Sequence, residues 1–195
     1  MQQTSDTLKG SSPSQGQSQG AKLTDVATIR QRARQDIESG AVTPSYNADR
    51  EQVIRLLNEA LATEIICYLR YKRHYFMADG IHAEAVAAEF LEHAQQEQGH
   101  ADQIAQRIVQ LGGAPDFSPD GLAQRSHAQY VEGSGLKDMI RENLVAERIA
   151  IESYREIAQY IGDKDPTTRR LMESILATEE EHADDLVGLM HGLKD

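Results

Sequence analysis

The sequence predicts an all-α protein: a four-helix bundle of two hairpins, with a long crossover between helices 2 and 3 and an N-terminal extension containing a short helix. Three observations carry the prediction. No segment alternates apolar and polar residues with a strand's period of two, whereas stripes at i, i+3, i+4 and i+7 recur over four long stretches. The pattern Glu-x-x-His-Ala-Asp occurs twice, at Glu97 to Asp102 and at Glu179 to Asp184. Each copy is also preceded by a glutamate at nearly the same distance, since Glu97 follows Glu64 by 33 residues and Glu179 follows Glu147 by 32. Tyr71 and Tyr154 each lie seven residues after their glutamate, so the repeat is one helical hairpin used twice.

Residues 1–20 are rich in Ser, Gln and Gly and contain too little apolar surface to offset the entropy of ordering, which predicts a flexible tail. Residues 21–47 form a helical extension and linker: a helix from Lys22 to about Ser39, with Val26, Ile29, Ala33 and Ile37 near one face, ends at Gly40. Asn47 is placed to cap the first long helix, from about Ala48 to Ala78, whose stripe is Leu57, Leu61, Glu64, Tyr68 and Tyr71. After an Asp79-Gly80 turn, the second helix runs to Leu111 with the stripe Val86, Phe90, His93, Glu97, His100, Ile104 and Ile108. Residues 112–133 are long for a connection, and a crossover along the bundle accounts for them. The third helix spans about Gly135 to Ile161, with Ile140, Leu144, Glu147, Ile151, Tyr154 and Ala158 inward. Asp165 caps the fourth, Pro166 opens it, and its stripe is Met172, Ile175, Glu179, His182, Leu186 and Leu189. The bundle thus occupies residues 48–192.

Composition narrows the function. The single cysteine, Cys67, excludes an internal disulfide framework and points to a reducing compartment. No apolar run reaches the roughly 18 residues that span a bilayer, so the expectation is a cytoplasmic protein with no membrane partner. A net charge of −11 argues against nucleic acid as a partner and suits the attraction of cations.

At about 1.5 Å rise per residue, Glu64 and Glu97 lie level across the first hairpin, as do Glu147, Glu179 and His182 across the second. Four glutamates and two histidines therefore share one layer of the core. Burying four bare carboxylates costs several kcal/mol each, so protons or cations must neutralise them. Two divalent cations carry +4 against −4 from the glutamates, with neutral imidazoles completing a shell that suits iron or manganese. One Glu-x-x-His in a Glu-rich chain is usually a solvated helical face; two in register, each with a partner glutamate on a core stripe, are not. For His93 the residues leave open a satisfied core histidine or an auxiliary metal contact, and for His74 an outer-helix neighbour or part of an entry route.

The stretch Leu57 to Tyr71 (LNEALATEIICYLRY), the run EQGHAD with its continuation to Arg107 and Leu111-Gly112-Gly113, and Met139 to Ile157 with EEEHAD resemble the bacterioferritin and DPS-like branch of the ferritin-like superfamily. The resemblance implies a ferroxidase that oxidises Fe(II) with O2 or H2O2 at an intrasubunit di-iron site and stores the mineral in a homo-oligomeric cage. It assigns Glu64, Glu97, His100, Glu147, Glu179 and His182 as ligands, Glu97 and Glu179 as the bridging pair, and Tyr71 as the tyrosine beside the site. Haem is not expected, because the methionine that binds it in bacterioferritins is replaced by Gln98. Only 13 residues follow His182, fewer than the short helix lining the fourfold axis of 24-subunit cages requires, so a dodecamer is the expectation. The cysteine pair found beside the metals in some of the group is not available to the lone Cys67. The rival reading is an oxidase or catalase with two iron or manganese ions and no storage.

Overall fold

The computed structural model describes residues 23–193, and the flexible tail expected over 1–20 lies outside them. Among the described residues all regular structure is helical: α1 (Val26–Arg32), α2 (Arg50–Met77), α3 (Ala83–Gln110), α4 (Leu122–Arg125), α5 (Leu136–Ile161) and α6 (Pro166–Gly192), with short 3-10 turns at Ile37–Ser39 and Gly162–Lys164. The main packing pairs are α2 with α3 and α5 with α6, the two hairpins read from the repeat. They close into a bundle through α2 against α5 and α3 against α6.

The crossover is ordered because α2 offers it a ladder of polar side chains. Asn58 accepts from the Asp116 amide at 2.8 Å, and the Thr63 hydroxyl accepts from the His127 amide at 2.9 Å. Farther along, Arg70 donates to the Gln129 carbonyl at 2.9 Å and His74 Nε2 lies 3.0 Å from the Glu132 carbonyl. These contacts climb both segments in the same order, so the crossover runs parallel to α2 and delivers α5 antiparallel to it. His74, fully buried, is spent on this staple.

Two large apolar clusters fill the bundle, with a small third one of Cys67, Ala128 and Ala146 under the crossover. Of the large two, one contains Leu57, Leu61, Ile104, Ile108, Ile157, Ile161, Met172 and Ile175; the other contains Val86, Phe90, Ala94, Met139, Ile140 and Leu186. Each fully buried Leu or Ile adds about 1.5–3 kcal/mol relative to exposure. At the end nearer the first cluster, Asp165 caps α6 by accepting from the Thr168 amide at 2.9 Å, and also receives two bonds from Arg107 of α3 at 2.9 and 3.0 Å. Tyr46 reaches the same carboxylate at 3.0 Å, which pins the linker before α2.

Three expectations need correction. The N-terminal helix stops at Arg32 instead of continuing to Ser39, and the chain bends through Asp36 at φ 47° into the 3-10 turn. None of the residues of α1 is buried, and a helix of seven residues has too few hydrogen bonds to persist without packing. The cap of α2 is Asp49, which accepts from the Gln52 amide at 3.1 Å, and not Asn47. On α5, Leu144 and Ile151 are only half-buried, because the inward face is centred on Asn143, Ala146, Glu147, Ala150 and Tyr154.

Candidate metal centre

The sequence layer of acidic and imidazole groups sits between the two apolar clusters, where helical spacing turns each side chain inward. Glu64 comes from α2, Glu97 and His100 from α3, Glu147 from α5, and Glu179 and His182 from α6. All six are at least 94% buried. Within α3 and α6 the i,i+3 spacing of Glu and His places both groups on one face, and the antiparallel hairpins bring the two faces together.

Their donor atoms form two overlapping quartets. Glu64, Glu97, His100 and Glu179 converge in one; Glu97, Glu147, Glu179 and His182 converge in the other, with the donor atoms of each within 4.8 Å of one another. Glu97 and Glu179 belong to both. His100 Nδ1 lies 3.1 Å from Glu64 Oε2 and 3.0 Å from Glu179 Oε1, and His182 Nδ1 lies 3.2 Å from Glu179 Oε2. Glu97 Oε1, Glu147 Oε2, both oxygens of Glu179 and His182 Nδ1 are buried without any hydrogen bond. Buried polar atoms left without a partner in this number are costly in a dry core, and the set fits divalent cations held by oxygen and nitrogen donors.

Tyrosines lock the outer carboxylates across the hairpins. The Tyr71 hydroxyl donates to Glu147 Oε1 and the Tyr154 hydroxyl donates to Glu64 Oε1, so each tyrosine serves the glutamate of the opposite hairpin. Reading the chain alone, Tyr154 passes as a hydrogen-bonded core tyrosine, although its place in the repeat is the signal that pairs it with Tyr71. Gln96 carries no signal in the sequence, yet its Oε1 lies 2.5 Å from His182 Nε2, which fixes that nitrogen as an N–H and turns Nδ1 to the centre. No spacing rule singles out a glutamine beside a glutamate. Behind the layer, buried Arg70 donates to Asn143 Oδ1 at 2.8 Å.

Burial sets the titration. It holds the Glu64 carboxyl well above the usual carboxylate range, with the charge of Glu97 adding to it. Glu179 is pushed up to about 7, first by burial and then by Glu64. Burial alone would raise Glu147 as well, but His182 foremost, with Glu179 and Tyr71, brings it down to about 2. Burial would depress His100, yet Glu179, Glu64 and Glu97 around it push it up to about 12. His182 is raised in the same way by Glu147, Glu179 and Glu97. Protons therefore stand in the free cluster where cations can bind, and binding must release them.

A helical bundle whose core holds two linked carboxylate and imidazole quartets defines a class of protein able to take cations into its interior. The family model of the ferritin-like domain matches residues 54–194, and the chain belongs to the ferritin-like family. Among curated proteins it is similar to the DNA protection during starvation protein of Pyrococcus furiosus, 33% identical over 140 residues covering 69% of this chain and 74% of that one. It is also similar to the bacterioferritin of Rhodobacter capsulatus, 29% identical over 134 residues covering 68% of this chain and 79% of that one. Among solved structures, the bacterioferritin-related protein from Bacteroides fragilis, described as a dodecameric thioferritin, superposes with a TM-score of 0.72 at 34% identity, covering 74% of this chain and 88% of that chain.

Proposed function

We propose that this protein is an iron-storage and detoxification ferroxidase. The observation that carries the reading is the pair of overlapping quartets sharing Glu97 and Glu179, a geometry with room for two cations side by side. Two Fe²⁺ are the substrate: each gives up one electron, and the pair reduces H2O2 to two hydroxides or O2 to the level of peroxide. Glu64 and His100 hold one ion, Glu147 and His182 the other, and Glu97 and Glu179 span both. Tyr71 and Tyr154 keep the outer carboxylates aimed, Gln96 keeps His182 in its ligating tautomer, and the apolar clusters on either side keep bulk water out. The protons displaced from the imidazoles leave as iron enters.

Storage in a homo-oligomeric cage is part of this reading, and the likeness to the dodecameric Bacteroides fragilis protein supports a dodecamer by preference. Residues 48–192 supply the bundle and residues 21–47 the extension, whose apolar Val26, Ile29 and Ile37 face solvent in the single subunit and suit a subunit contact. Haem has no place in this reading, since Gln98 offers no thioether where the resemblance puts the haem-binding methionine of bacterioferritins. The charge of −11 likewise speaks against nucleic acid as a partner. Among the described residues no helix is long and apolar enough to cross a membrane, in keeping with a cytoplasmic place of action.

Anaerobic Fe²⁺ titration followed by air, read together with particle mass, tests the proposal. A hollow assembly that takes up many ferric ions per subunit is the expected result. A dimer that stops at two metals would favour an oxidase or catalase without storage. Glu97→Ala combined with His100→Ala should abolish rapid oxidation, and unchanged rates would sink the site.

A further inference from the structure

Beside the six-residue cluster lies a second group that the proposed ferroxidase does not use: Glu89 and His93 on α3 and Asp185 on α6, whose donor atoms lie within 4.8 Å of one another. His93 is 1% exposed, one turn before Glu97. Its Nδ1 lies 3.2 Å from the Tyr71 hydroxyl oxygen. That hydroxyl has one proton, which it donates to Glu147, so toward His93 it can only accept. The proton of the neutral ring is thereby placed on Nδ1, and Nε2 is left as a bare lone pair. This Nε2 is buried and makes no hydrogen bond, yet it faces Glu89 Oε1 at 3.2 Å and Asp185 Oδ2 at 3.8 Å. Three acceptors pointed at one another, with no donor among them, repel unless something positive lies between.

On the solvent side the group is open, since the side chains of Glu89 and Asp185 are 31% and 55% exposed. On the core side it touches the main cluster. The His93 ring stacks on His182, centroid to centroid 3.9 Å at 20°, and His182 Nδ1 faces Glu179, Glu97 and Glu147. One imidazole with two carboxylates selects a borderline divalent cation such as Fe²⁺, Co²⁺ or Zn²⁺ over Mg²⁺ or Ca²⁺.

We propose that Glu89, His93 and Asp185 form a third divalent-cation site at the solvent edge of the bundle, one ligand's width from the buried pair. The binding site stands on its own geometry. Its role as the waiting position from which ions pass to His182 and the quartet rests on the ferroxidase reading. Two exposed carboxylates attract the ion from water, and His93 gives it an inner ligand at the threshold of the dry core.

Equilibrium dialysis of the full chain against Co²⁺, with Glu89→Gln/Asp185→Asn as the comparison, tests the site. Both changes are made at partly exposed side chains and preserve shape, so folding is not at stake. Three Co²⁺ per subunit in the wild type and two in the variant are expected, together with anomalous density on His93 Nε2 in Co²⁺-soaked crystals. Equal binding by both proteins would overturn the third site while leaving the dinuclear reading untouched. One Co²⁺ in the wild type and none in the variant would uphold the third site and defeat the dinuclear reading instead. For the waiting role, stopped-flow Fe²⁺ oxidation by the variant should slow by about tenfold at low Fe²⁺, the order expected from losing local cation attraction, with the amplitude unchanged. An unchanged rate would refute the waiting role.

Discussion

At the scale of the residue, the centre depends on groups that never touch a cation. Tyr154 and Tyr71 each satisfy one oxygen of a buried glutamate from the other hairpin, and Tyr71 also accepts from His93 Nδ1. Tyr154→Phe leaves Glu64 Oε1 without its donor and should destabilise the metal-free protein by about 1–3 kcal/mol in urea unfolding. Tyr71→Phe should cost at least as much, because it also leaves His93 Nδ1 without its acceptor; a smaller loss than that of Tyr154→Phe would contradict this arrangement. Gln96→Ala frees His182 Nε2 from its anchor, and a competition titration with a chelator should show metal affinity lowered by about 10–100-fold.

At the scale of the element, the least obvious support is the junction of α3, α6 and the linker. Arg107 and Asp165 form a buried ion pair at 2.9 Å, and the same aspartate caps α6 and accepts from Tyr46. Removing one member leaves an uncompensated buried charge, so Arg107→Ala should lower stability by about 3–5 kcal/mol, measured by chemical denaturation. Asp165 and Pro166 were legible as a helix start because capping is a local affair of three or four residues. The extent of α1 was not, since an apolar stripe says where a helix would bury its face but not whether a partner is there to receive it.

At the scale of the whole molecule, protons and cations compete for one buried cluster, and stability must follow pH accordingly. His100, raised to about 12, stabilises the metal-free fold fully below its unfolded value near 6.5 and loses that contribution as pH climbs toward 12. Glu179, raised to about 7, costs stability as pH rises from its unfolded value near 4.3 through 7. Both signs agree. The metal-free protein should therefore melt lower at pH 9 than at pH 6, and a scanning melt with chelator present checks this. Zn²⁺ at about 100 times its dissociation constant should add about 2.7 kcal/mol, which for a chain of this size is a rise of roughly 5–11 °C. At a fixed Zn²⁺ concentration that rise should grow with pH, because fewer protons remain to be displaced and the apparent dissociation constant falls.

By itself the amino-acid order determined the four helices, their pairing into two hairpins and the membership of Glu64, Glu97, His100, Glu147, Glu179 and His182 in one layer. Periodicity and equal spacing are properties of a single rod or a single hairpin, and both are written along the chain. Only the tertiary structure decided that Tyr71 and Tyr154 reach across to the opposite glutamate, that Gln96 holds His182, that His74 belongs to the crossover, and that His93 faces Glu89 and Asp185. Those are relations between surfaces far apart in sequence, set by how the hairpins rotate against each other, and no local pattern encodes that rotation.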